Sequence, residues 1–228
     1  MRETIVDRAY AKTLLPPRKE DGHKGDFGKL LVLGGSVGYT GAPYLAASAA
    51  VHSGCGLVYL GVPESIWAVE AQKCVSAMPF PLPETDGRLC LAALDKMQDK
   101  LKGCDVLALG PGLGRGKETE QLVHALLWQV KEPLVLDADG LNALQGCTEK
   151  LDVRRGRVTI LTPHDGEFAR LTDRTLREIA SSERTELAST AVSWCSRGTG
   201  RALRCRTGGC SSTRAAARHS QRAGAGTC

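Results

Sequence analysis

Short apolar runs without polar alternation recur along most of this chain, and longer mixed segments separate them. The runs are Lys29–Leu33, Leu57–Val62, Val106–Leu109, Pro133–Leu136 and Val158–Leu161. Uninterrupted runs rich in branched residues are typical of parallel strands that are buried on both faces. The segments 42–53 and 117–129 have the length of helices. The pattern therefore predicts an α/β domain, a layered sheet with helices on both faces.

Four glycine-rich or polar strings follow these runs directly. They are Gly34–Pro43 (GGSVGYTGAP), Gly110–Gly114 (GPGLG), Asp137–Asn142 (DADGLN) and Thr162–Glu167 (TPHDGE). In parallel α/β sheets, ligands bind in the crevice outside the carboxyl ends of the strands. We expect the four strings to line one such site, and their composition indicates an enzyme that handles nucleotides.

The two glycine strings suit phosphate binding, although either is also compatible with a simple turn. A glycine-rich turn before a helix exposes backbone N–H groups to an anion, and the helix dipole favours negative charge there. Gly110–Gly114 lets a ligand approach the backbone closely. Neither the dinucleotide fingerprint nor a Walker loop occurs in Gly34–Pro43.

The other two strings supply the polar candidates. Asp137 and Asp139 follow an apolar strand, where carboxylates need solvent, hydrogen bonds or a cation. Asn142 caps a helix or holds a ligand, and capping is the favoured role. His164 is a candidate substrate donor, and Glu167 either orients a hydrated magnesium ion or caps a helix.

Composition narrows the class of protein. The nine cysteines lack the paired spacing of a zinc site and indicate reduced thiols, so we predict no directly bound metal. No apolar stretch approaches the roughly 18 to 20 residues that cross a bilayer, and no signal peptide is visible, which predicts a cytoplasmic protein without a membrane partner. The net charge of +5 comes from seven arginines after residue 186, and the first 186 residues carry a net charge of −2.

The composition changes after about Arg177 to Arg, Ser, Gly, Ala and Cys. One interpretation is a disordered basic tail, which would make the chain a nucleic-acid-binding protein; the lack of lysines disfavours that partner. The other is a reading-frame error. In the shifted frame, each codon consists of the third base of one printed codon and the first two bases of the next. The genetic code then permits Gly-Cys-Val-Val-Val at 190–195, Val-Leu-Lys-Gly at 194–198 and Thr-Gly-Gly-Ser-Gly-Asp-Val at 221–228. We therefore predict an incomplete domain over 1–177 and an out-of-frame, disordered tail over 178–228.

Taken together, the motifs resemble those of the ADP/ATP-dependent NAD(P)H-hydrate dehydratases, a branch of the ribokinase-like superfamily. The resemblance covers roughly residues 15–171. It rests on the four strings with His23–Gly28 (HKGDFG) and Val62–Ser65 (VPES). It implies a ribokinase-like fold whose C-terminal part is missing or scrambled here.

The resemblance also implies a function. Such hydro-lyases repair damaged nicotinamide cofactors by using ADP or ATP, with Mg²⁺, to dehydrate the S-form of NADH or NADPH hydrate, and intact relatives are expected to form homo-oligomers. The implied substrate contacts are Ala42, Gly114 and His164, and Gly112 joins them because its string admits a ligand close to the backbone.

The chain departs from the family at its adenine-nucleotide site. The Lys-Gly-x-x-Thr segment and the Gly-Ser-Gly-Asp turn with the catalytic acid occur only in the shifted frame, so no residue is assigned as the catalytic acid. We expect weak binding and little catalysis from the chain as printed. The alternatives are a small-molecule kinase of the same superfamily and an inactive nucleotide-binding remnant.

Overall fold

A parallel sheet of seven strands forms the centre of the molecule. The structure, a computed structural model, describes residues 8–15, 17–18, 20–173 and 175, and the backbone alone of 3–6, 193–194 and 212–215. The strands of the sheet are β2 (Lys29–Leu33), β3 (Leu57–Pro63), β4 (Met78–Leu82), β7 (Val106–Leu109), β8 (Leu134–Leu136), β9 (Thr159–Leu161) and β10 (Ser193–Trp194). Their order across the sheet is β10-β9-β8-β7-β2-β3-β4.

Helices cover both faces of the sheet, as the sequence predicts. They are α1 (Arg8–Leu14), α2 (Gly41–His52), α3 (Glu64–Lys73), α4 (Ala93–Gly103), α5 (Lys117–Gln129), α6 (Asp139–Asn142) and α7 (Asp165–Thr172), with 3₁₀ turns at Lys24–Phe27 and Thr148–Arg154. Successive residues of β2 point to opposite faces. Leu31 and Leu33 join a core packed under α4 and α5. Val32 joins the core under α2 and α3. Burial on both faces explains why these strands read as unalternating apolar runs.

The five predicted strands are all present, and β4 was missed. Its sequence contains Pro79 and Pro81, which argue against a central strand because proline has no N–H for the ladder. β4 lies at the edge of the sheet, next to β3 alone, where prolines are tolerated. A small hairpin of β5 (Glu84–Thr85) and β6 (Arg88–Leu89) was also missed. Its two-residue turn is an Asp-Gly pair with positive φ, a common hairpin signal.

Two described strands lie in the segment predicted to be an out-of-frame tail. β10 pairs in parallel with β9, with Ser193 opposite Ile160. β11 (Ser212–Ala215) pairs with β1 (Glu3–Val6). The rest of 178–228, including Cys205 and Cys210, lies outside the described residues. The boundary at Arg177, the disorder and the frame error therefore stay predictions.

The cysteines in the described part of the chain are free thiols, at positions 55, 74, 90, 104 and 147. Reduced thiols at these positions agree with the interpretation of the sequence. Within the same part of the chain, no helix combines the length and the apolar character that crossing a membrane requires.

The buried thiol of Cys104 makes a pH dependence of stability testable. Burial raises the pKa of this thiol from 9.0 to about 11, and the nearby Glu132 carboxylate adds to the shift. Below pH 9 the thiol is protonated in both states, but between pH 9 and 11 only the unfolded chain releases the proton, so stability is lost as the pH rises. We expect the stability difference between the parent and Cys104→Ala to shrink by up to about 2–3 kcal/mol from pH 8 to pH 11. Urea unfolding at each pH measures it, and parallel curves for the two proteins would contradict it.

Candidate functional site

The loops that follow β2 and β7 are hydrogen-bonded into one unit at the carboxyl edge of the sheet. The Gly35 N–H donates to the Pro111 carbonyl at 2.9 Å, and the Gly110 N–H donates to the Leu33 carbonyl at 3.1 Å. The Ser36 hydroxyl, 2% exposed, donates to the Gly112 carbonyl at 2.8 Å. The two glycine strings therefore share one surface, as the sequence predicts.

Close approach explains why this surface needs glycine. A Cβ on Gly34 would lie 2.4 Å from the Pro111 carbonyl oxygen. Gly112 has a φ of +69°, and its Cβ would lie 2.9 Å from the Tyr39 carbonyl oxygen and 3.3 Å from the Ala42 Cβ. Two of the predicted substrate contacts, Ala42 and Gly112, are thus in direct proximity.

Asp139 joins the second glycine string to α6. One carboxylate oxygen accepts the Gly114 N–H at 2.9 Å and the other accepts the Asn142 amide at 3.0 Å. The Arg115 guanidinium lies 4.0 Å away. The Asn142 oxygen accepts from Arg170 of α7 at 3.2 Å. Asn142 is the last residue of α6 and its side chain bridges two elements, so the favoured capping role was wrong.

Asp137 connects the ends of β8 and β9. Its Oδ1 accepts from the Ala138 N–H at 2.9 Å and from the Thr162 hydroxyl at 2.8 Å. The intervening Ala138 has φ +47° and ψ −115°, an unfavourable conformation for a residue with a Cβ. Strained backbone of this kind persists only where the surroundings enforce it, often at functional sites. The two carboxylates thus hold different loops, because Asp137 binds Thr162 after β9 and Asp139 binds Gly114 after β7.

His164 and Glu167 form a reciprocal cap at the start of α7. His164 Nδ1 accepts the N–H groups of Gly166 and Glu167 at 3.0 and 3.3 Å, and Glu167 accepts the His164 N–H at 2.9 Å. An accepting Nδ1 assigns the neutral imidazole proton to Nε2. The His164 side chain is 51% exposed and the Glu167 side chain is 6% exposed. Of the two roles that the sequence allows for Glu167, the geometry supports capping.

A cavity of about 430 Å³ opens beside this network. Its lining includes Gly114, Arg115, Asp139 and Asn142 of the network, together with Glu120 and His124 of α5. Its volume lies in the range of small-molecule sites. Its lining carries cationic, anionic and amide groups, which suit a polar ligand.

The described part of the chain contains no cluster of three His, Cys, Asp or Glu side chains that would hold a metal ion. Both oxygens of Asp139 accept protein hydrogen bonds, and Asp137 and Glu167 accept them too. These carboxylates orient loops.

Several residues that build the site carry no signal in the sequence. Ser36 lies within Gly34–Pro43, where the glycines alone indicated a function and nothing marked the serine as a contact to the second string. Arg88 of the hairpin lies against Gly114, where a Cβ would meet its Nε at 3.0 Å, and Lys73 of α3 donates to Thr40 at the start of α2. Only the three-dimensional arrangement brings these residues to the glycine strings, so no local pattern marked them.

Comparisons with known proteins agree with this architecture. A family model described as NAD(P)H-hydrate dehydratase matches residues 30–197, which is more than half of the chain. Among solved structures, the ADP/ATP-dependent NAD(P)H-hydrate dehydratase of Bacillus subtilis, co-crystallised with ATP and Mg²⁺, superposes with a TM-score of 0.69 at 24% identity, covering 93% of this chain and 73% of that one. A ribokinase-like superfamily protein of Enterococcus faecalis gives a TM-score of 0.74 at 19% identity over 93% of this chain and 71% of that one. These likenesses show the ribokinase-like fold.

Curated relatives give the closer sequence match. The bifunctional NAD(P)H-hydrate repair enzyme of Moorella thermoacetica is 44% identical over 186 residues, which cover 81% of this chain and 35% of that protein. The ADP-dependent (S)-NAD(P)H-hydrate dehydratase of Neisseria meningitidis is 37% identical over 164 residues, 71% of this chain and 51% of that protein. The chain thus spans about a third of the first relative and half of the second. By its family match and these identities, the chain belongs to the NAD(P)H-hydrate dehydratase family.

Proposed function

We propose that the chain acts in nicotinamide cofactor repair, converting the S-form of NADH or NADPH hydrate to the intact cofactor at the expense of ADP or ATP. The observation that carries the proposal is the continuous network at the carboxyl edge of the sheet. It runs from Ser36 and Gly112 through Gly114, Asp139 and Asn142 to Arg170. Ligands of parallel α/β sheets bind outside the carboxyl ends of the strands, which supports the proposal that the substrate binds beside this network.

In the proposed reaction, the terminal phosphoryl group of the nucleotide passes to the hydroxyl of the hydrated ring. The C–O bond then breaks, phosphate leaves, and a ring proton is lost as the double bond returns. Through these steps ADP is converted to AMP and phosphate, and ATP is converted to ADP and phosphate. Substrate positioning and electrostatic stabilisation supply most of the catalysis of phosphoryl transfer.

The described residues suit the positioning part of this reaction. Ala42, Gly112 and Gly114 offer a surface where a ring can approach the backbone, and the half-exposed His164, whose Nε2 lies 3.4 Å from Glu167 Oε1, is proposed as a hydrogen-bond donor to the substrate. Asp137, Asp139, Asn142 and Glu167 hold the loops that carry these contacts. Each residue is therefore proposed as a contact or as a support of a contact.

Mg²⁺ is proposed to arrive with the nucleotide. When bound, it neutralises charge on the phosphates being transferred. Because the Asp139 and Glu167 carboxylates are already engaged by protein donors, they fit contacts to the ion through its water shell rather than direct ligation.

The catalytic acid is proposed to lie in the shifted reading frame, in the Gly-Ser-Gly-Asp turn permitted at 221–228. The shifted frame also permits an apolar strand at 190–195, and β10 occupies 193–194 beside β9. β10 itself is formed by Ser193 and Trp194 of the printed chain, and it shows that the sheet accepts a further parallel strand beside β9, as the proposal requires.

His164→Asn separates ligand binding from helix capping. Asparagine is a good N-cap, so we expect the melting temperature to stay within about 2 °C of the parent, while loss of the Nε2–H donor weakens binding of (S)-NADH hydrate about tenfold. Calorimetric titration measures the affinity.

The matched control is His52→Asn, which changes a histidine at the far end of α2 and should leave the affinity unchanged. Equal affinities for the parent and His164→Asn would contradict the assigned contact.

A further inference from the structure

An ion pair on α3, between the fully buried Glu70 and the partly exposed Lys73, contacts the start of α2. The Glu70 side chain is fully buried, and its Oε1 lies 3.0 Å from the Lys73 ammonium one turn later. Lys73 Nζ also donates to the Thr40 hydroxyl at 2.7 Å and to the Thr40 carbonyl at 3.1 Å. An ammonium has three N–H donors, and these three acceptors use them all.

This arrangement is poorly explained by stability alone. Glu70 Oε2 is buried, and it has no hydrogen-bond partner in the described part of the chain. Burying a carboxylate with an unsatisfied oxygen is costly, and well-packed apolar residues often stabilise a protein as much as a buried ion pair does. What apolar residues cannot supply is a donor aimed at Thr40.

Thr40 holds a critical position in the first glycine string. It is the N-cap residue of α2, yet its side chain makes no capping hydrogen bond, and its hydroxyl is bound to Lys73 instead. Tyr39, the residue before it, and Ala42, two residues after it, lie so close to Gly112 that a Cβ on that glycine would meet both. Fixing Thr40 therefore fixes where Ala42 meets the Gly110–Gly114 loop.

We propose that Glu70 and Lys73 are positioning residues, which set the substrate-contacting start of α2 by anchoring Thr40. Lys73 makes the anchor, and Glu70 orients and neutralises the ammonium. We expect this anchor to determine the affinity for the hydrated nicotinamide nucleotide. In the identity of that ligand, the inference rests on the proposed function.

The test compares three variants with the parent chain: Lys73→Met, Glu70→Leu/Lys73→Met and Lys102→Met. The single variant removes the anchor and leaves Glu70 buried without its cation. The double variant removes the anchor and the buried charge together. Lys102→Met makes the same side-chain change at an exposed position of α4, before β7 begins, whereas the second glycine string follows the end of β7, and it serves as the control.

The double variant should recover the melting temperature of the parent but not its affinity for the hydrate. We expect Lys73→Met to lower the melting temperature by about 10 °C, and the double variant to recover to within about 3 °C of the parent. Both should bind (S)-NADH hydrate about tenfold more weakly, because both lack the anchor. Amide hydrogen exchange at 39–42 should rise in both and stay at the parent level in Lys102→Met.

Parent-like affinity and parent-like exchange in the double variant would overturn the positioning role, since the pair would then be a structural contact only. If the parent chain itself binds no hydrate, the proposed function fails. The exchange measurement then tests only whether Lys73 anchors Thr40. Raised amide exchange at 39–42 in the double variant supports the anchor, and unchanged exchange overturns it.

Discussion

Restoring the shifted frame is expected to raise dehydratase turnover at least about a thousandfold over the chain as printed. On the reading-frame interpretation, one base inserted into the coding sequence between about codons 178 and 190 would bring the permitted Lys-Gly and Gly-Ser-Gly-Asp strings into frame. Removing a single preorganised donor from an enzyme costs about 10²–10³ in rate, and the Gly-Ser-Gly-Asp string that we propose as the anion-binding turn does not occur in the printed sequence. Steady-state assays on the two proteins, with matched concentrations of folded protein, measure the ratio.

The control for this experiment is the frame-restored protein with the aspartate of its Gly-Ser-Gly-Asp turn changed to asparagine. This variant should be as stable as the restored protein, but its turnover should decrease toward that of the printed chain. Equal turnover in the printed and restored chains would contradict the frame interpretation and place the catalytic acid elsewhere.

Gly110→Ala is expected to destabilise the fold by about 4 kcal/mol, which is exceptional for a single substitution. Gly110 has a φ of +132°, and a Cβ there would lie 1.7 Å from the Asp137 carbonyl oxygen and 2.9 Å from the Gly140 nitrogen. Because both of these groups are backbone, relief requires the loops after β7 and β8 to move apart. Urea unfolding followed by tryptophan fluorescence measures the change.

Gly103→Ala is the matched control, because a Cβ on this last residue of α4 meets nothing within 4 Å. We expect its stability to stay within about 1 kcal/mol of the parent. A Gly110→Ala protein as stable as this control would show that the two loops are not in the close contact described.

The sequence was a good guide to the layers of the fold and to the placement of the loops. Unalternating apolar runs mark strands buried on both faces, and parallel strands necessarily bring their carboxyl ends to one edge. This reasoning predicts that Gly112 and Ala42 lie near each other, and a Cβ on Gly112 would indeed lie 3.3 Å from the Ala42 Cβ. The sequence did not predict β4, because prolines argue against a strand except at the edge of a sheet. The order of the strands across the sheet, which places β4 at the edge, has no signal in the sequence.

The polar residues were harder to interpret, because side-chain roles depend on small displacements. Glu167 was compatible with capping or with a hydrated ion, and the hydrogen bond from the His164 N–H favours the cap. The contact between Lys73 and Thr40 joins residues 33 positions apart. It depends on how α3 packs against α2, which no local pattern encodes.

The measurement that tests the central claim most directly is the product analysis of (S)-NADH hydrate incubated with ADP and Mg²⁺, using the printed and the frame-restored chains. We predict NADH, AMP and phosphate in equal amounts, formed slowly by the printed chain and rapidly by the restored one, with the R-form left unchanged. A stable phosphorylated hydrate, or no NADH from either chain, would contradict the proposed repair reaction.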